Sequence, residues 1–242
     1  MKKWILVLTF IFLTLSGCTK VEFINHEKPN LAVEFTPFEN MGCPLDQYGY
    51  RRCQESSVLY TLGCDLIKPV SDLLGGLDPL YPMAKCVIST MNHPEISDPY
   101  NVPQTDYIFN AGGPLPDLVR YVIYKDGEVL LIKNPDEFRE VFAPVESANE
   151  ALSFTLALKD YAAYYGLEKD NNLKYYMDTI EDSHVETTAD GFIVHVFHYK
   201  FFGCGPHYTT AFQVNVTRDG MVEEISRENI YSDPSMDDLC QD

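Results

Sequence analysis

The sequence predicts an α+β protein, and three features carry that expectation. Asp-Gly pairs at 126–127, 190–191 and 219–220 each separate two runs rich in β-branched and aromatic residues, the pattern of antiparallel strands joined by tight turns. A stripe of apolar residues at spacings of three and four, Ala151, Phe154, Leu158, Tyr161, Ala162 and Tyr165, marks one long amphipathic helix. Ten of the fifteen prolines fall between residues 18 and 115, together with Cys43, Cys53, Cys64 and Cys86, so the first half reads as turn-rich and poor in regular structure.

Each element follows in order. Residues 18–40 read as a tether, because Glu, Lys, Asn and Pro interrupt every apolar pair. Residues 41–115 read as an irregular Pro/Cys-rich module stapled by disulfides, with short helices over Ser57–Leu62 and Leu66–Leu77. Residues 116–242 read as a helix-on-sheet domain. Leu118–Tyr124 and Glu128–Lys133 form a hairpin through Asp126-Gly127. Asn134-Pro135-Asp136-Glu137 opens a short helix to Phe142, with proline and acids in its first turn, and Pro144 stops it. Ser147 and Glu150 have the spacing of a capping box, and Gly166 is placed to end the helix that they start. Strands over Val185–Thr188, Phe192–Phe202, Tyr208–Val216 and Met221–Tyr231 then make an antiparallel meander for that helix to cover. The arrangement is similar to cystatin-like and PepSY-like folds, by analogy of layout and without a shared motif.

The leader has its own logic. Met1-Lys2-Lys3 is a basic head, and Trp4–Leu15 is an apolar run too short to span a bilayer, which takes about 20 residues. It ends in Leu15-Ser16-Gly17-Cys18, which resembles the lipobox of bacterial lipoprotein precursors. The resemblance implies cleavage after residue 17 and a diacylglycerol on Cys18, the first residue of the mature chain. Two or more acyl chains give stable anchoring where one gives only marginal binding. Thr19, where an Asp would resemble an inner-membrane retention signal, points to the outer membrane or the outer face of a single membrane.

Once Cys18 is committed to lipid, six cysteines remain: Cys43, Cys53, Cys64, Cys86, Cys204 and Cys240. An even set in an exported protein reads as three disulfides, although six cysteines allow fifteen pairings. Their distribution, four before residue 90 and two after residue 200, favours Cys43–Cys53, Cys64–Cys86 and Cys204–Cys240. Losing Lys2 and Lys3 with the leader takes the formal charge from −18 to −20. A chain this acidic repels phosphate backbones, so nucleic acid is excluded as a partner. With 45% hydrophobic and 22% charged residues, it can bury a core and is not globally disordered.

Catalytic motifs are absent: there is no Gly-x-Ser-x-Gly elbow, His-Glu-x-x-His, Walker A or Gly-x-Gly-x-x-Gly. The densest cluster is His195, His198, Cys204 and His207. Residues three apart on a strand face opposite ways, so His195 and His198 cannot hold one ion, and Cys204 is expected in a disulfide; no metal site, cofactor or catalytic residue is assigned. The acidic pairs Glu181-Asp182, Glu223-Glu224 and Asp237-Asp238 read as solvated surface in so acidic a chain. The tail acids Asp233, Asp237, Asp238 and Asp242 lack the glycine and spaced glutamate of a calcium loop. Sixteen tyrosines, among them Tyr121, Tyr124, Tyr161, Tyr164, Tyr165, Tyr175 and Tyr176, suit either core edges or a recognition surface. The expected protein is a non-enzymatic, lipid-anchored extracytoplasmic binding or interaction protein, with an unknown protein or small-molecule ligand. The alternatives are a cell-envelope hydrolase using dispersed acids and a PepSY- or cystatin-like inhibitor.

Overall fold

The structure is a computed structural model that describes residues 21–93, 96 and 102–241. The leader, Cys18 and Asp242 lie outside those residues. Up to the first long hairpin the strands are β1 (Glu22–Ile24), β2 (Arg51–Arg52), β3 (Leu66–Pro69), β4 (Met83–Ser89), β5 (Phe109–Ala111), β6 (Asp117–Lys125) and β7 (Glu128–Ile132). After it come β8 (Lys174–Tyr175), β9 (Thr179–Glu181), β10 (His184–Thr187), β11 (Gly191–Tyr199), β12 (Gly203–Cys204), β13 (Tyr208–Thr217), β14 (Val222–Ser232) and β15 (Cys240–Gln241). The helices are α1 (Val58–Thr61), α2 (Pro135–Phe142) and α3 (Ala148–Leu158). The class is α+β, with mostly antiparallel pairing. No helix of the described residues is long and apolar enough to cross a membrane.

Two antiparallel sheets dominate. In the first, β6 is central: β4 lines one edge along its whole length, and β5 and then β7 share the other, with β3 and β2 continuing beyond β4. The second is the expected meander, in order β10-β11-β13-β14, with β8 added at its edge. At 126–127 and 219–220 the Asp-Gly cues act as turn chemistry demands, with Gly220 at φ 80°, whereas Gly191 opens β11 without a positive φ. Asp126 and Gly127 both have positive φ, 53° and 88°, as a two-residue hairpin loop whose twist matches its strands requires. Asn134 Oδ1 accepts from the Glu137 amide at 2.9 Å to cap α2. Ser147 and Glu150 form the capping box in both directions.

Helix α3 departs from expectation in length and environment. It ends at Leu158, and nine of its eleven residues are buried, including Ser153 and Thr155. Nearly enclosed, it has no solvent face to be amphipathic about. It packs on β10, β11, β13 and β14 and on the 3-10 turn over Asp72–Gly76, and one continuous core runs from it to Met83, Val119, Tyr121 and Ile123 of the first sheet. Ser153 avoids being orphaned by donating to the Leu73 carbonyl at 2.6 Å. At the C-terminal end, the Tyr121 hydroxyl donates to the Ala157 carbonyl at 2.9 Å, one of the carbonyls that a helix end leaves without an internal partner. The remaining stripe residues, Tyr161, Ala162 and Tyr165, pack from an extended segment, because Ala162 exchanges both backbone hydrogen bonds with Phe197 of β11, each 2.8 Å.

The first half is more regular than its composition suggests. Leu66–Leu77, expected as a helix, is β3 followed by a 3-10 turn over Asp72–Gly76. Leu66 and Ile67 pair with Val87 and Cys86 of β4, and tertiary pairing of this kind overrides local preference. Gly76 faces α3 so closely that a Cβ there would overlap the Asn149 carbonyl. The boundary expected at 115/116 runs between β5 and β6, which are neighbours in one sheet. The stretch expected as a tether is packed from Val21 onward. Strand β1 pairs in parallel with β9, Leu31 and Val33 pack against the main core, and Phe38 is fully buried in a smaller core with Leu59, Ile67 and Val122. Its apolar residues are interrupted in sequence, yet Val21, Phe23, Leu31, Val33, Phe35 and Phe38 all find hydrophobic sites while Ile24 stays exposed, because extended backbone presents each to a different neighbour.

Sulfur positions place bonds at Cys43–Cys53, Cys64–Cys86 and Cys204–Cys240. The Cys64–Cys86 bridge is fully buried beside β3 and β4. The Tyr121–Ala157 hydrogen bond joins the first sheet to the central helix, and Tyr121→Phe deletes it without changing the ring. Urea unfolding should then show a loss of about 1–3 kcal/mol, the usual cost of leaving a buried carbonyl unpaired. An unchanged unfolding midpoint would refute the role given to that bond.

Candidate functional site

The corner between β9 and β10 gathers the chemistry. Its foundation is Asp182, which is 0% exposed. The Asp182 Oδ1 accepts from the His26 amide at 2.8 Å and Oδ2 from the Gly166 amide at 2.9 Å. The Asp182 amide in turn donates to the Ile24 carbonyl at 3.0 Å. A buried carboxylate is costly unless it is hydrogen-bonded, and these bonds fix the chain just after β1 against the corner. The His26 side chain is thereby carried beside Glu181, with Nε2 2.8 Å from Glu181 Oε1.

On the next strand, His184 lies directly opposite His195 in the β10–β11 register. Cross-strand neighbours on one face are within side-chain contact, and these two rings stack with centroids 3.8 Å apart. His26 stacks on the other face of His184 at 4.2 Å, so three imidazoles form a column. Glu186, two residues after His184, points to the same face. Its Oε1 lies 3.5 Å from His184 Nε2 and 3.3 Å from His195 Nε2. The His184 Nδ1 is 2.8 Å from the Asp182 carbonyl oxygen. A carbonyl can only accept, so Nδ1 carries a hydrogen and the neutral ring presents a lone pair at Nε2. That Nε2 is 3.6 Å from Glu181 Oε1, beyond hydrogen-bond reach of either carboxylate. The His195 Nε2 is buried and has no aligned hydrogen-bond partner.

Electrostatics follow from this packing. Burial raises the Glu181 carboxyl, but the His26 hydrogen bond and the nearby His184, His26 and His195 rings outweigh it, so the group sits below its ordinary value. Burial and then the neighbouring His184 depress His195, with Glu186 and Glu181 opposing. The surroundings therefore favour an ionised Glu181 and a neutral His195. Two overlapping triads have their ligand atoms within 4.8 Å of one another: His26, Glu181 and His184, and His184, Glu186 and His195. Beside them runs a groove of about 260 Å³ over the sheet face, with Glu181 and His195 in its wall together with Gln213, Ser226 and Glu228.

No family model, curated protein or solved structure matches the chain. The site therefore rests on its own geometry.

The residues singled out in the sequence are dispersed. His198 falls on the opposite face of β11 from His195, as strand alternation requires, and lines a separate cleft with Asp160 and Glu224. Cys204 is bonded to Cys240. His207 is buried, its Nδ1 2.9 Å from the Lys200 carbonyl oxygen and its Nε2 3.1 Å from that of Leu239, a position that joins two loops. Of the acidic pairs, Glu181 and Asp182 belong to the site, one as a ligand-type carboxylate and one as its support, which revises their assignment to solvated surface. Glu223, Glu224, Asp237 and Asp238 are exposed. The Asp233 side chain accepts from the Ser235 amide and hydroxyl at 2.9 and 2.7 Å. Among the described residues the tail acids do not converge into a group of three. The tyrosines mostly pack: Tyr121 is core, Tyr161 lies against Phe212, and Tyr164 stacks on Phe197. Sequence reasoning missed His26 and His184 altogether. A two-residue loop at Asp190-Gly191 would set His184 opposite Phe197; the chain instead turns at Ala189-Asp190 and pairs His184 with His195, and nothing local points to His26.

Replacing Asp182 with Ala removes the acceptor for the His26 and Gly166 amides. The expected cost is about 2–4 kcal/mol, together with faster hydrogen exchange at the amides of Glu22–His26. Exchange at wild-type rates in that segment would show that β1 is held by other means.

Proposed function

We propose that the protein is an extracytoplasmic binding protein, anchored through a diacylglycerol on Cys18 to the outer membrane or the outer face of a bacterial cell membrane. The observation that carries this reading is the cysteine count. All six cysteines among the described residues are paired, in keeping with an oxidising compartment, and the seventh, Cys18, stands at the lipobox position. The part assigned to binding is the β9–β10 corner, where Glu181 and His195 wall an open groove with His26, His184 and Glu186 beside them. With a net charge of −20 after loss of the leader, its ligands are cationic or neutral rather than nucleic acid.

A specific observation favours the alternative, a cell-envelope hydrolase. The cleft of about 450 Å³ on the α3 side of β11 brings Asp160, His198, Glu224 and Arg227 together from distant parts of the chain. There the Tyr161 hydroxyl is pushed up to about 12 by burial and by Glu224. Clearing of purified cell walls by the protein, lost in Glu224→Gln, would decide for it. The packing of α3 on the meander supports the likeness to cystatin-like and PepSY-like folds, for which an inhibitor module is the corresponding function.

The anchor has a direct test. Cys18→Ala should move the protein from the membrane to the soluble fraction of cells that acylate lipoproteins, because it removes the only acyl acceptor that the leader provides. A variant that still sediments with membranes after a salt wash would sink the anchor.

A further inference from the structure

The geometry points to a site for one divalent transition-metal ion, centred on His184, with Glu181 and Glu186 beside it, and His26 and His195 completing the set from either flank. The inference names the ligand class of the binding protein proposed above, and depends on that reading only for the compartment in which the ion is met.

Ligand spacing is the first argument. An ion held tetrahedrally by nitrogen and oxygen at about 2.0–2.2 Å has its ligand atoms about 3.3–3.6 Å apart. Around His184 the spacings are 3.6 Å to Glu181, 3.5 Å to Glu186, and 3.3 Å between Glu186 and His195. These are edge lengths of a coordination polyhedron, and too long for hydrogen bonds to His184. The second argument is orientation. The His184 ring is 9% exposed, and its Nδ1–H is held by the Asp182 carbonyl, leaving the Nε2 lone pair aimed between two carboxylates. Support of a histidine through its other nitrogen is the usual outer-shell arrangement of a metal ligand. The third argument is the buried His195 Nε2 without an aligned partner, which a cation would satisfy.

Ligand chemistry selects the ion class. Each triad offers two imidazoles and one carboxylate, a set that suits zinc, nickel, copper or cobalt, whereas calcium takes six to eight oxygens and magnesium keeps mostly water. The two triads share His184, so they are alternative seats for one ion rather than two sites. In the outer seat, where His26 and Glu181 are 36% and 39% exposed, water fills the remaining position. His26 is the one ligand supplied from the start of the chain. An ion there cross-links the segment after β1 to the β9–β10 corner, adding to the hold that Asp182 has on its backbone.

The test is calorimetric titration of the untagged protein with zinc chloride, nickel chloride and calcium chloride. Zinc and nickel should bind with a stoichiometry of one, and calcium much more weakly. His198→Ala, outside the cluster, should bind zinc like the wild type, whereas His184→Ala should lose more than the roughly 10–100-fold that removing an outer partner costs. Glu181→Gln combined with Glu186→Gln changes two exposed, isosteric side chains and does not threaten the fold; it should weaken zinc at least tenfold. Cobalt(II) should give the visible absorption of a tetrahedral site, absent in His184→Ala. No zinc binding by the wild type, unchanged zinc affinity in the double variant, or calcium binding as tight as zinc would each overturn the site. Metal binding in solution does not require acylation, so its failure leaves the anchor standing, and membrane release of Cys18→Ala leaves the metal site standing.

Discussion

Among the described residues the Asp182 carboxyl is buried without a cationic partner at hydrogen-bond distance, and the candidate site is arranged around the way it is accommodated. Its two oxygens take up the amides of His26 and Gly166, and its own backbone pairs with Ile24 on one side and His184 on the other. Three distant segments meet through one residue: the end of β1, the run after α3, and the β9–β10 corner. The cost of burying a charged group is offset only while all of these bonds are made. The arrangement is therefore demanding, and it fixes the His26 backbone and the His184 ring together.

The central helix imposes the other constraint. Helix α3 is nearly enclosed, so its polar residues must be satisfied within the core. Ser153 donates to Leu73, Thr155 to the Ala151 carbonyl, and Ala157 receives the Tyr121 hydroxyl. The 115/116 boundary falls between β5 and β6, neighbours in one sheet, and residues before and after it share one hydrophobic core.

Turn and cap chemistry was legible because it is local. Asp126-Gly127, the Ser147–Glu150 box and the Pro135 opening each state their geometry within four residues, and the structure uses them as such. The end of α3 was not legible. The stripe through Tyr161 and Tyr165 fits helical spacing, but the backbone of Ala162 is claimed by Phe197 of β11, which is distant in sequence. The candidate site shows the same division. Strand alternation correctly separates His195 from His198, but the Asp190-Gly191 pair misplaces the turn by one residue: the loop is Ala189-Asp190, and that register sets His184 against His195. His26 could not be placed, because a parallel pairing of three residues between β1 and β9 has no turn to fix its register.

That parallel pairing gives the start of the chain its significance. With Cys18 acylated as proposed, Val21 is the third residue beyond the lipid, and three residues reach at most about 10 Å. While β1 is docked, the β9–β10 corner is held close to the lipid surface. If β1 were released, the next residue packed in the main core would be Leu31, and the same arithmetic allows a reach of about 40 Å. On the proposed anchoring, the hold on residues 22–26 would set the distance of the folded part from the membrane. A three-residue strand held by its pairing with β9, by the packing of Val21 and Phe23, and by Asp182 is a modest hold. An ion bridging His26 to His184 would strengthen it at the one point where the anchored segment and the folded domain share a ligand set.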